Sequence, residues 1–218
     1  MFITFEGIEG SGKSTQAKLL AEYLRAQLGK DKVLLTREPG GTQIGEQIRQ
    51  VVHSHRNQEM AAGTEFLLYS AARAQIVAEI IRPALAAGKI VLCDRYADST
   101  MVYQGYGRQL DLDIVGKVIE FATGGLKPDL TFYFDVSVEE GLARRTNGHQ
   151  YGEELNRMDT QAREFYERVQ RGYAALIVEE PSRWIRIDGT QSIEQVQMDL
   201  RKTLERILVQ SQQQPKTV

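Results

Sequence analysis

The segment from Gly7 to Ser14 carries the clearest chemistry in the chain and reads Gly-Ile-Glu-Gly-Ser-Gly-Lys-Ser. It fits the spacing G-x-x-x-x-G-K-[ST], in which glycines let successive backbone N–H groups point at phosphate oxygens. Lys13 adds positive charge for the β- and γ-phosphates, and Ser14 offers a hydroxyl to Mg²⁺. The sequence therefore predicts a nucleotide phosphate loop formed by Glu9, Gly10, Ser11, Gly12, Lys13, Ser14 and Thr15.

The residues on either side of this loop have the patterns that the motif requires. Residues 2–5 alternate like a short strand, and apolar residues recur at helical spacing from Ala17 to Leu28. A helix that starts at the loop directs its positive N-terminal end at the same anion. Strand, loop and helix in this order favour a phosphate-binding site over a glycine turn without a ligand.

Four further short apolar runs predict strands at residues 33–36, 90–93, 130–134 and 184–187. Helical patterns lie between them, at about 44–52, 64–81 (ending before Pro83), 111–122, 138–145, 157–178 and 192–209. Continuous apolar strands that alternate with helices are typical of a parallel sheet covered on both faces, an α/β fold.

Several arginines follow or flank these elements. Arg37 follows the second strand and Arg95 the third, so both belong at the carboxyl edge of the sheet where ligands bind. Arginine binds phosphate through a planar, bidentate fork, and phosphoryl transfer between two phosphorylated molecules needs two polyanions held together. Arg144, Arg145 and Arg157 flank a polar, glycine-containing segment at 146–156 that we interpret as a mobile flap, and each could equally be a helix cap.

Two aspartates end apolar strands and could hold the magnesium shell. Asp94 is followed directly by Arg95, which favours it. Asp135 ends the next strand and is the alternative, with capping or packing as its other role.

Composition limits the class of protein. The chain has 218 residues, 42% hydrophobic, with a net charge of −2, which predicts one domain over residues 1–209, a polar tail at 210–218 and no nucleic-acid surface. No apolar run is long enough for a membrane span. The single Cys93 indicates a reducing, cytoplasmic compartment. His53, His55 and His149 form no ligand spacing, and we interpret them as surface or loop residues.

The chain resembles the bacterial thymidylate kinases. The similarity covers residues 2–208 and includes Phe5-Glu-Gly-Ile-Glu-Gly-Ser-Gly-Lys-Ser14, Thr36-Arg-Glu-Pro-Gly-Gly-Thr42, Tyr69-Ser-Ala-Ala-Arg73, Asp94-Arg-Tyr-Ala-Asp-Ser-Thr-Met-Val-Tyr-Gln-Gly105, Pro128-Asp-Leu-Thr-Phe-Tyr-Phe-Asp135 and Ile187-Asp-Gly-Thr190. The segment from Asp94 to Gly105 is the most specific, since general phosphate-loop proteins lack it.

The resemblance implies a P-loop NTPase-type three-layer sandwich with a five-stranded parallel sheet in the order 2-3-1-4-5, usually as a homodimer. It implies transfer of the γ-phosphoryl group of ATP to dTMP, with Mg²⁺, in dTTP synthesis. Lys13, Arg95, Arg145 and Arg157 would be catalytic, Ser14 and Asp94 would hold the metal, and Arg144 would join the phosphate loop at ATP.

The resemblance also implies a dTMP site. Arg37, Arg95 and Arg49 would hold the phosphate, Tyr69 would stack on thymine, and Arg73 would reach the base edge. Thr100 and Gln104 would read the ring, Tyr103 would favour deoxyribose, and Glu9 would address the sugar hydroxyl. Glu38, Pro39 and Ser99 complete the expected lining of this site.

One departure from the family concerns the catalytic cation. Gly10 stands where some members place an arginine, and the flap has no arginine at its centre, which leaves Arg144, Arg145 and Arg157 as unranked candidates. The alternatives are a kinase of another nucleoside or nucleotide and a regulatory GTPase. A GTPase would need an Asn-Lys-x-Asp guanine-reading motif, and the sequence contains none.

Overall fold

A computed structural model describes residues 1–150 and 156–213, without the side chains of 148–150, 160 and 209–213. At its centre lies one five-stranded sheet in the order β2-β3-β1-β4-β5, with every neighbouring pair parallel. The strands are β1 (Phe2–Glu6), β2 (Val33–Arg37), β3 (Ile90–Asp94), β4 (Leu130–Asp135) and β5 (Trp184–Asp188). The expected sheet and strand order are confirmed.

Helices cover both faces of the sheet. They are α1 (Lys13–Leu28), α2 (Gln43–His53), α3 (Ala62–Ile76), α4 (Arg82–Ala86), α5 (Ala97–Thr100), α6 (Leu112–Thr123), α7 (Val138–Gln150), α8 (Arg163–Glu179) and α9 (Ile193–Gln213). Two π-helical segments, Val77–Ile81 and Met101–Gly107, continue α3 into α4 and extend α5.

The core lies on both faces of the sheet because successive strand residues point to opposite faces. Ile3 and Phe5 of β1 pack with α1 and α9 on one face. Phe2 packs with Val91 and the π-helical residues after α3 on the other face. Both faces are therefore apolar, which explains the near-continuous apolar runs of the strands.

Pro83 does not end the long helical run, contrary to the prediction. The run continues from α3 through the π-helical segment into α4, with Pro83 in the first turn of α4. Proline lacks an N–H and crowds the carbonyl oxygen four residues earlier, but Pro83 stands just after the π-helical segment, where the regular i→i−4 pattern is already interrupted.

The ends of two other helices also differ from the prediction. Helix α7 continues past Arg145 to Gln150, so the first part of the expected flap is helical, and residues 151–155 lie outside the described residues. After them, residues 157–160 form a 3₁₀ turn, and α8 begins at Arg163 rather than at Arg157. Asn156 and Asp159 close that turn as a reciprocal capping box.

The described part of the C-terminus is helical as well. Helix α9 extends past Val209 to Gln213, and residues 214–218, the rest of the expected tail, lie outside the described residues. Within residues 1–150 and 156–213, no helix is both long and apolar enough to span a membrane.

Candidate functional site

A cavity of about 420 Å³ lies at the carboxyl edge of the sheet. The phosphate loop and the start of α1 line one part of it. The rest comes from the ends of β2 and β3 with the loops that follow them, from α2, α3, α5 and the π-helical segment Met101–Gly107, and from α7 and the turn after residue 155. The sequence-predicted residues that line it are Glu9, Gly10, Gly12, Lys13, Ser14, Thr15, Arg37, Glu38, Pro39, Arg49, Tyr69, Arg73, Asp94, Arg95, Ser99, Thr100, Tyr103, Gln104, Arg144 and Arg145. Ser11 and Arg157 are not among the lining residues.

The phosphate loop places Lys13 at the start of α1. Gly12 precedes the helix at a φ of 88°, a left-handed conformation that glycine adopts without strain. Nζ of Lys13 donates to the carbonyl oxygen of Ile8 at 3.0 Å. Burial, with Arg95 as the next contribution, lowers the pKa of Lys13 to about 8. A bound polyphosphate would favour the charged form of this lysine.

The loop is also in close contact with α7. Gly10 has a φ of 73°, and a Cβ added there would lie 2.1 Å from the carbonyl oxygen of Gly141. A Cβ on Gly141 would in turn lie 2.7 Å from the carbonyl oxygen of Glu9. The two glycines thus let the backbone of α7 rest directly on the loop.

Ser14 and Asp94 form the candidate magnesium site. The Ser14 hydroxyl donates to Oδ2 of Asp94, while Oδ1 of Asp94 is buried without a hydrogen-bond partner. Hydroxyl and carboxylate oxygens suit Mg²⁺, which usually keeps several waters and takes other ligands from substrate phosphates. In the described part of the chain, no cluster of three or more His, Cys, Asp or Glu side chains forms a separate metal site.

Asp135, the alternative metal ligand, is engaged elsewhere. Its Oδ2 accepts from Nε of Arg186 at 2.6 Å and also from Nη2 of that arginine, and Asp135 does not line the cavity. The arrangement favours Asp94.

Arg95 lies in the middle of the cavity wall, between the loop and the helices. It follows β3 with a φ of 68°, a strained conformation for a non-glycine residue. Its guanidinium donates to Oε1 of Glu9 at 2.8 Å and to the Tyr103 hydroxyl at 3.1 Å, and that hydroxyl donates to Oε2 of Glu9 at 2.7 Å. Glu9, Arg95 and Tyr103 are thereby held as one group.

Arg37 and Arg49 add positive charge at the end of β2 and on α2. Nη2 of Arg37 lies 2.9 Å from both carboxylate oxygens of Glu46, and its side chain is about half exposed. Arg49 donates to the carbonyl oxygen of Pro39 at 3.1 Å. Burial, followed by the repulsion from Arg37, lowers the pKa of Arg49. These side chains can receive an anion that relieves their mutual repulsion.

Arg73 is fixed by three acceptors at the inner end of the cavity. It donates to Oε2 of Glu38 at 2.7 Å, to Oγ1 of Thr100 at 2.7 Å and to the carbonyl oxygen of Tyr96 at 2.9 Å. Burial raises the pKa of Glu38 to about 7, although Arg73 opposes the shift. Tyr69 precedes Arg73 by one turn of α3 and also lines the cavity. An aromatic face and a fixed fork of donors suit a planar, polar ring.

Two of the three flanking arginines face the cavity from α7. Arg144 donates to Glu140 at 2.6 Å and to the carbonyl oxygen of Gly189 at 2.7 Å. Arg145 forms a bidentate pair with Asp159, at 2.9 and 3.0 Å. Both can supply charge to a phosphate chain in the cavity.

Arg157 is not placed for the catalytic role that the sequence suggested. It is 2% exposed, forms an ion pair with the buried Glu65 and donates to the carbonyl oxygen of Val52 at 3.0 Å. Its guanidinium therefore connects the turn at 157–160 with α2 and α3. The charge of Arg157 also compensates the buried carboxylate of Glu65, which would be strongly destabilising without a charged partner.

His53 lines the cavity, whereas the sequence pattern indicates only an ordinary surface or loop histidine. It lies four residues after Arg49 on α2 and lines the cavity. Burial, then Arg49 and Arg95, lower the pKa of His53 to about 3, so the ring is neutral near pH 7. Its helical spacing from Arg49 was the available signal. Asn156, Met158 and Asp159 are the other lining residues that were not expected.

Comparison with known protein families matches this chain to a family model. The model described as Thymidylate kinase matches residues 5–200.

Individual relatives agree with that match. A thymidylate kinase of Roseiflexus castenholzii is 54% identical over 203 residues, covering 89% of this chain and 88% of the relative. One from an Exiguobacterium species is 50% identical over 208 residues and covers 95% of both chains. The crystal structure of thymidylate kinase from Ehrlichia chaffeensis is 36% identical, with a TM-score of 0.75, and covers 94% of this chain and 98% of its own.

Proposed function

Because the chain belongs to the thymidylate kinase family, we propose that it transfers the γ-phosphoryl group of ATP to dTMP, forming ADP and dTDP. In this reaction an oxygen of the dTMP phosphate forms a bond to the γ-phosphorus. The bond from the γ-phosphorus to the β–γ bridging oxygen breaks, and ADP leaves with that electron pair. The observation that carries the proposal is one cavity lined both by the phosphate loop and by a separate set of arginines next to an aromatic, hydrogen-bonding pocket.

The acceptor phosphate is already anionic, so the reaction needs no general base. Arg37, Arg49 and Arg95 would bind it, and the mutual repulsion of the first two favours an anion between them. Their role is to hold the nucleophile in line and to offset the repulsion between two polyanions.

The donor phosphates would bind to the backbone N–H groups of the loop, to Lys13 and to Arg144 or Arg145. Ser14 and Asp94 would hold Mg²⁺, which supplies charge neutralisation at the phosphates when bound. The flanking arginines on α7 would add charge where it develops during transfer.

The nucleoside of dTMP would occupy the inner end of the cavity. Tyr69 offers a face for stacking, Arg73 and Thr100 offer donors, and Gln104 offers an amide. Tyr103, held by Glu9 and Arg95, would lie against the sugar and disfavour a 2′-hydroxyl.

A coupled ADP-release assay over a panel of nucleoside monophosphates tests the proposal. We expect dTMP to give the highest kcat/KM, with dCMP and dGMP lower by on the order of a hundredfold, because the wrong base leaves buried polar groups unpaired. Arg73→Ala should raise the KM for dTMP strongly. A different preferred acceptor would favour the second candidate, a kinase of another nucleotide, and equal use of all acceptors would contradict the base pocket.

We further propose a homodimer built around α3, with a cytoplasmic location as indicated by the single buried Cys93. Helices α2 and α6 pack against α3, and all three carry exposed apolar side chains. These are Ile44, Val51, Leu67, Leu112, Ile114 and Phe121.

A further inference from the structure

Glu65 is a fully buried carboxylate that the proposed reaction does not use. It lies on α3, one helical turn before Tyr69 and two before Arg73. Nε2 of Gln104 donates to its Oε1 at 2.9 Å, and Arg108 donates to Oε1 at 3.1 Å and to Oε2 at 2.9 Å. Arg157 also donates to Oε2. Each carboxylate oxygen of Glu65 therefore accepts hydrogen bonds from two side chains.

This carboxylate accepts hydrogen bonds and donates none. Burial acts to raise the pKa of Glu65, but hydrogen bonds from Arg108 and Gln104 outweigh it, and the pKa lies below its usual value. An ionised carboxylate is an acceptor only. The group of Gln104 that faces Glu65 must therefore be the NH₂.

This contact decides which way the Gln104 amide points. The oxygen and nitrogen of an amide are nearly equal in shape, so only hydrogen-bonding partners distinguish its two orientations. With Nε2 committed to Glu65, Oε1 is the free end of a side chain that lines the cavity. Within residues 1–150 and 156–213, no group donates to this oxygen.

We propose that Glu65 is a positioning residue for base selection, which fixes Gln104 with its amide oxygen toward the nucleobase. The proposal rests on the function proposed above. It requires the bound base to present an N–H group to Gln104. Thymine does so at N3, whereas N3 of cytosine carries a lone pair that would face the lone pairs of Oε1.

Arg73 reinforces this polarity because a guanidinium only donates. Thymine places its O4 acceptor beside N3–H, which complements a donor from Arg73 and an acceptor from Gln104. Cytosine places an amino group beside an acceptor, the reverse pattern. If Gln104 could rotate its amide by 180°, it would accommodate N3 of cytosine as well.

Glu65→Gln tests the role of the carboxylate. The oxygen of the new amide can accept from Arg108 and Arg157. The NH₂ of the new amide then needs an acceptor, and Gln104 supplies one by turning its own amide oxygen toward residue 65. We expect the ratio of kcat/KM for dTMP to that for dCMP to fall by about tenfold or more, with the value for dCMP rising. A merely structural role would lower both values and leave the ratio unchanged.

The double variant Glu65→Gln with Gln104→Glu provides the rescue. It exchanges the amide and the carboxylate, so the cluster keeps one negative charge. The amide at position 65 then donates to the carboxylate at position 104, whose second oxygen again accepts from the base. We expect the ratio to return toward that of the unmodified protein.

Arg108→Lys is the matched control for the single variant. It disturbs the same cluster but leaves an acceptor-only carboxylate against Gln104. The amide of Gln104 should therefore keep its orientation, and the ratio of kcat/KM values should stay unchanged.

A measurement on the unmodified protein keeps the proposal testable if Glu65→Gln does not fold. Nuclear magnetic resonance, assigned by comparison with Gln104→Ala, should show the Gln104 NH₂ protected from exchange both with and without dTMP. Exposed NH₂ protons, or protons that become protected only on binding dTMP, would overturn the proposal.

The outcomes distinguish a wrong assignment of the base site from a wrong role for Glu65. If the unmodified protein does not prefer dTMP to dCMP, or if Gln104→Ala keeps the preference, the assigned base site is wrong. If Gln104→Ala loses the preference and folded Glu65→Gln keeps it, or if Arg108→Lys lowers the ratio as much as Glu65→Gln, only the role of Glu65 is wrong.

Discussion

Arg145 and Asp159 form a bidentate ion pair that joins α7 to the turn at 157–160, with Nε 2.9 Å from Oδ1 and Nη2 3.0 Å from Oδ2. Both residues line the cavity. Asp159 thus holds the fork of Arg145 at the wall of the cavity. The pair orients a flanking arginine before substrates bind, so that its charge needs little rearrangement.

Replacing Arg145 with alanine should lower kcat by on the order of a hundredfold while changing either KM far less, because its charge would act mainly in the transition state. Steady-state kinetics with ATP and dTMP varied separately would measure this. Arg144→Ala should be tested beside it, since Arg144 faces the same cavity. Arg163→Ala, an exposed arginine on α8, is the control and should keep normal rates. If both cavity variants keep a normal kcat, the transition-state charge comes from elsewhere.

Phosphoryl transfer should depend on the positive charge of Lys13, which can be removed either by substitution or by raising the pH. Lys13→Ala should remove on the order of 3–4 kcal/mol of transition-state stabilisation, a hundredfold or more in rate. In the unmodified protein, kcat/KM for ATP should fall as the pH rises through about 8, because the free enzyme then loses its lysine proton.

Unfolding does not account for this expected fall in kcat/KM, because the lowered pKa of Lys13 affects folding stability in the opposite direction. Between pH 8 and 10.5 the unfolded chain keeps a lysine proton that the folded chain has lost, so this group makes the folded state more stable as the pH rises. Rates measured from about pH 6.5 to 9.5, with circular dichroism as the control for folding, would test it. A flat kcat/KM profile would show that Lys13 does not titrate there.

Arg157→Ala should reduce stability rather than the rate of transfer. It leaves the buried Glu65 with less compensating charge, and breaking a buried ion pair costs about 3–5 kcal/mol. Urea unfolding would measure the loss, and Arg157→Lys, which keeps the charge, should lose less. Unchanged stability together with a collapsed kcat would instead restore the catalytic role suggested by the sequence.

Leu67→Asp should dissociate the proposed homodimer. Leu67 is 59% exposed on α3, whereas Ile76, Val77 and Ile81 are buried in the protein's own core and are unavailable to a partner. An aspartate buried in an apolar interface without a partner is strongly unfavourable. Sedimentation should give about twice 24.6 kDa for the unmodified protein and a smaller species for the variant.

Val178→Asp is the matched control for the dimer. Val178 is 80% exposed on α8, outside the group formed by α2, α3 and α6, and its replacement should leave the dimer intact. A 24.6 kDa species for the unmodified protein at micromolar concentration would contradict the dimer.

The strands and the phosphate loop were predictable because local patterns determine them. Each strand is a short, nearly continuous apolar run, and the loop needs glycine at positions such as Gly12, where φ is 88°. The family resemblance supplied most of the cavity lining, including Arg73 and Gln104. These assignments needed no knowledge of which side chains pair with which.

The errors concern interactions between distant parts of the chain. Arg157 looked like its neighbours around the flap, and only the pairing with Glu65, 92 residues away, distinguishes it from them. The continuation of α3 through a π-helical segment into α4 likewise depends on packing of Val77 and Ile81 against the sheet. Local propensity carries no information on either contact.

Because Gly10 and Gly141 are in close contact, a cationic side chain at position 10 is incompatible with the present position of α7 and its arginines. Position 10 has no room for a side chain, because the backbone of α7 occupies that space. An arginine there would have to lift the start of α7, which carries Arg144 and Arg145. A lineage with this architecture could therefore not gain a loop cation by a single substitution while keeping the helix where it is. Exchanging one arrangement for the other requires both ends of the contact to change together.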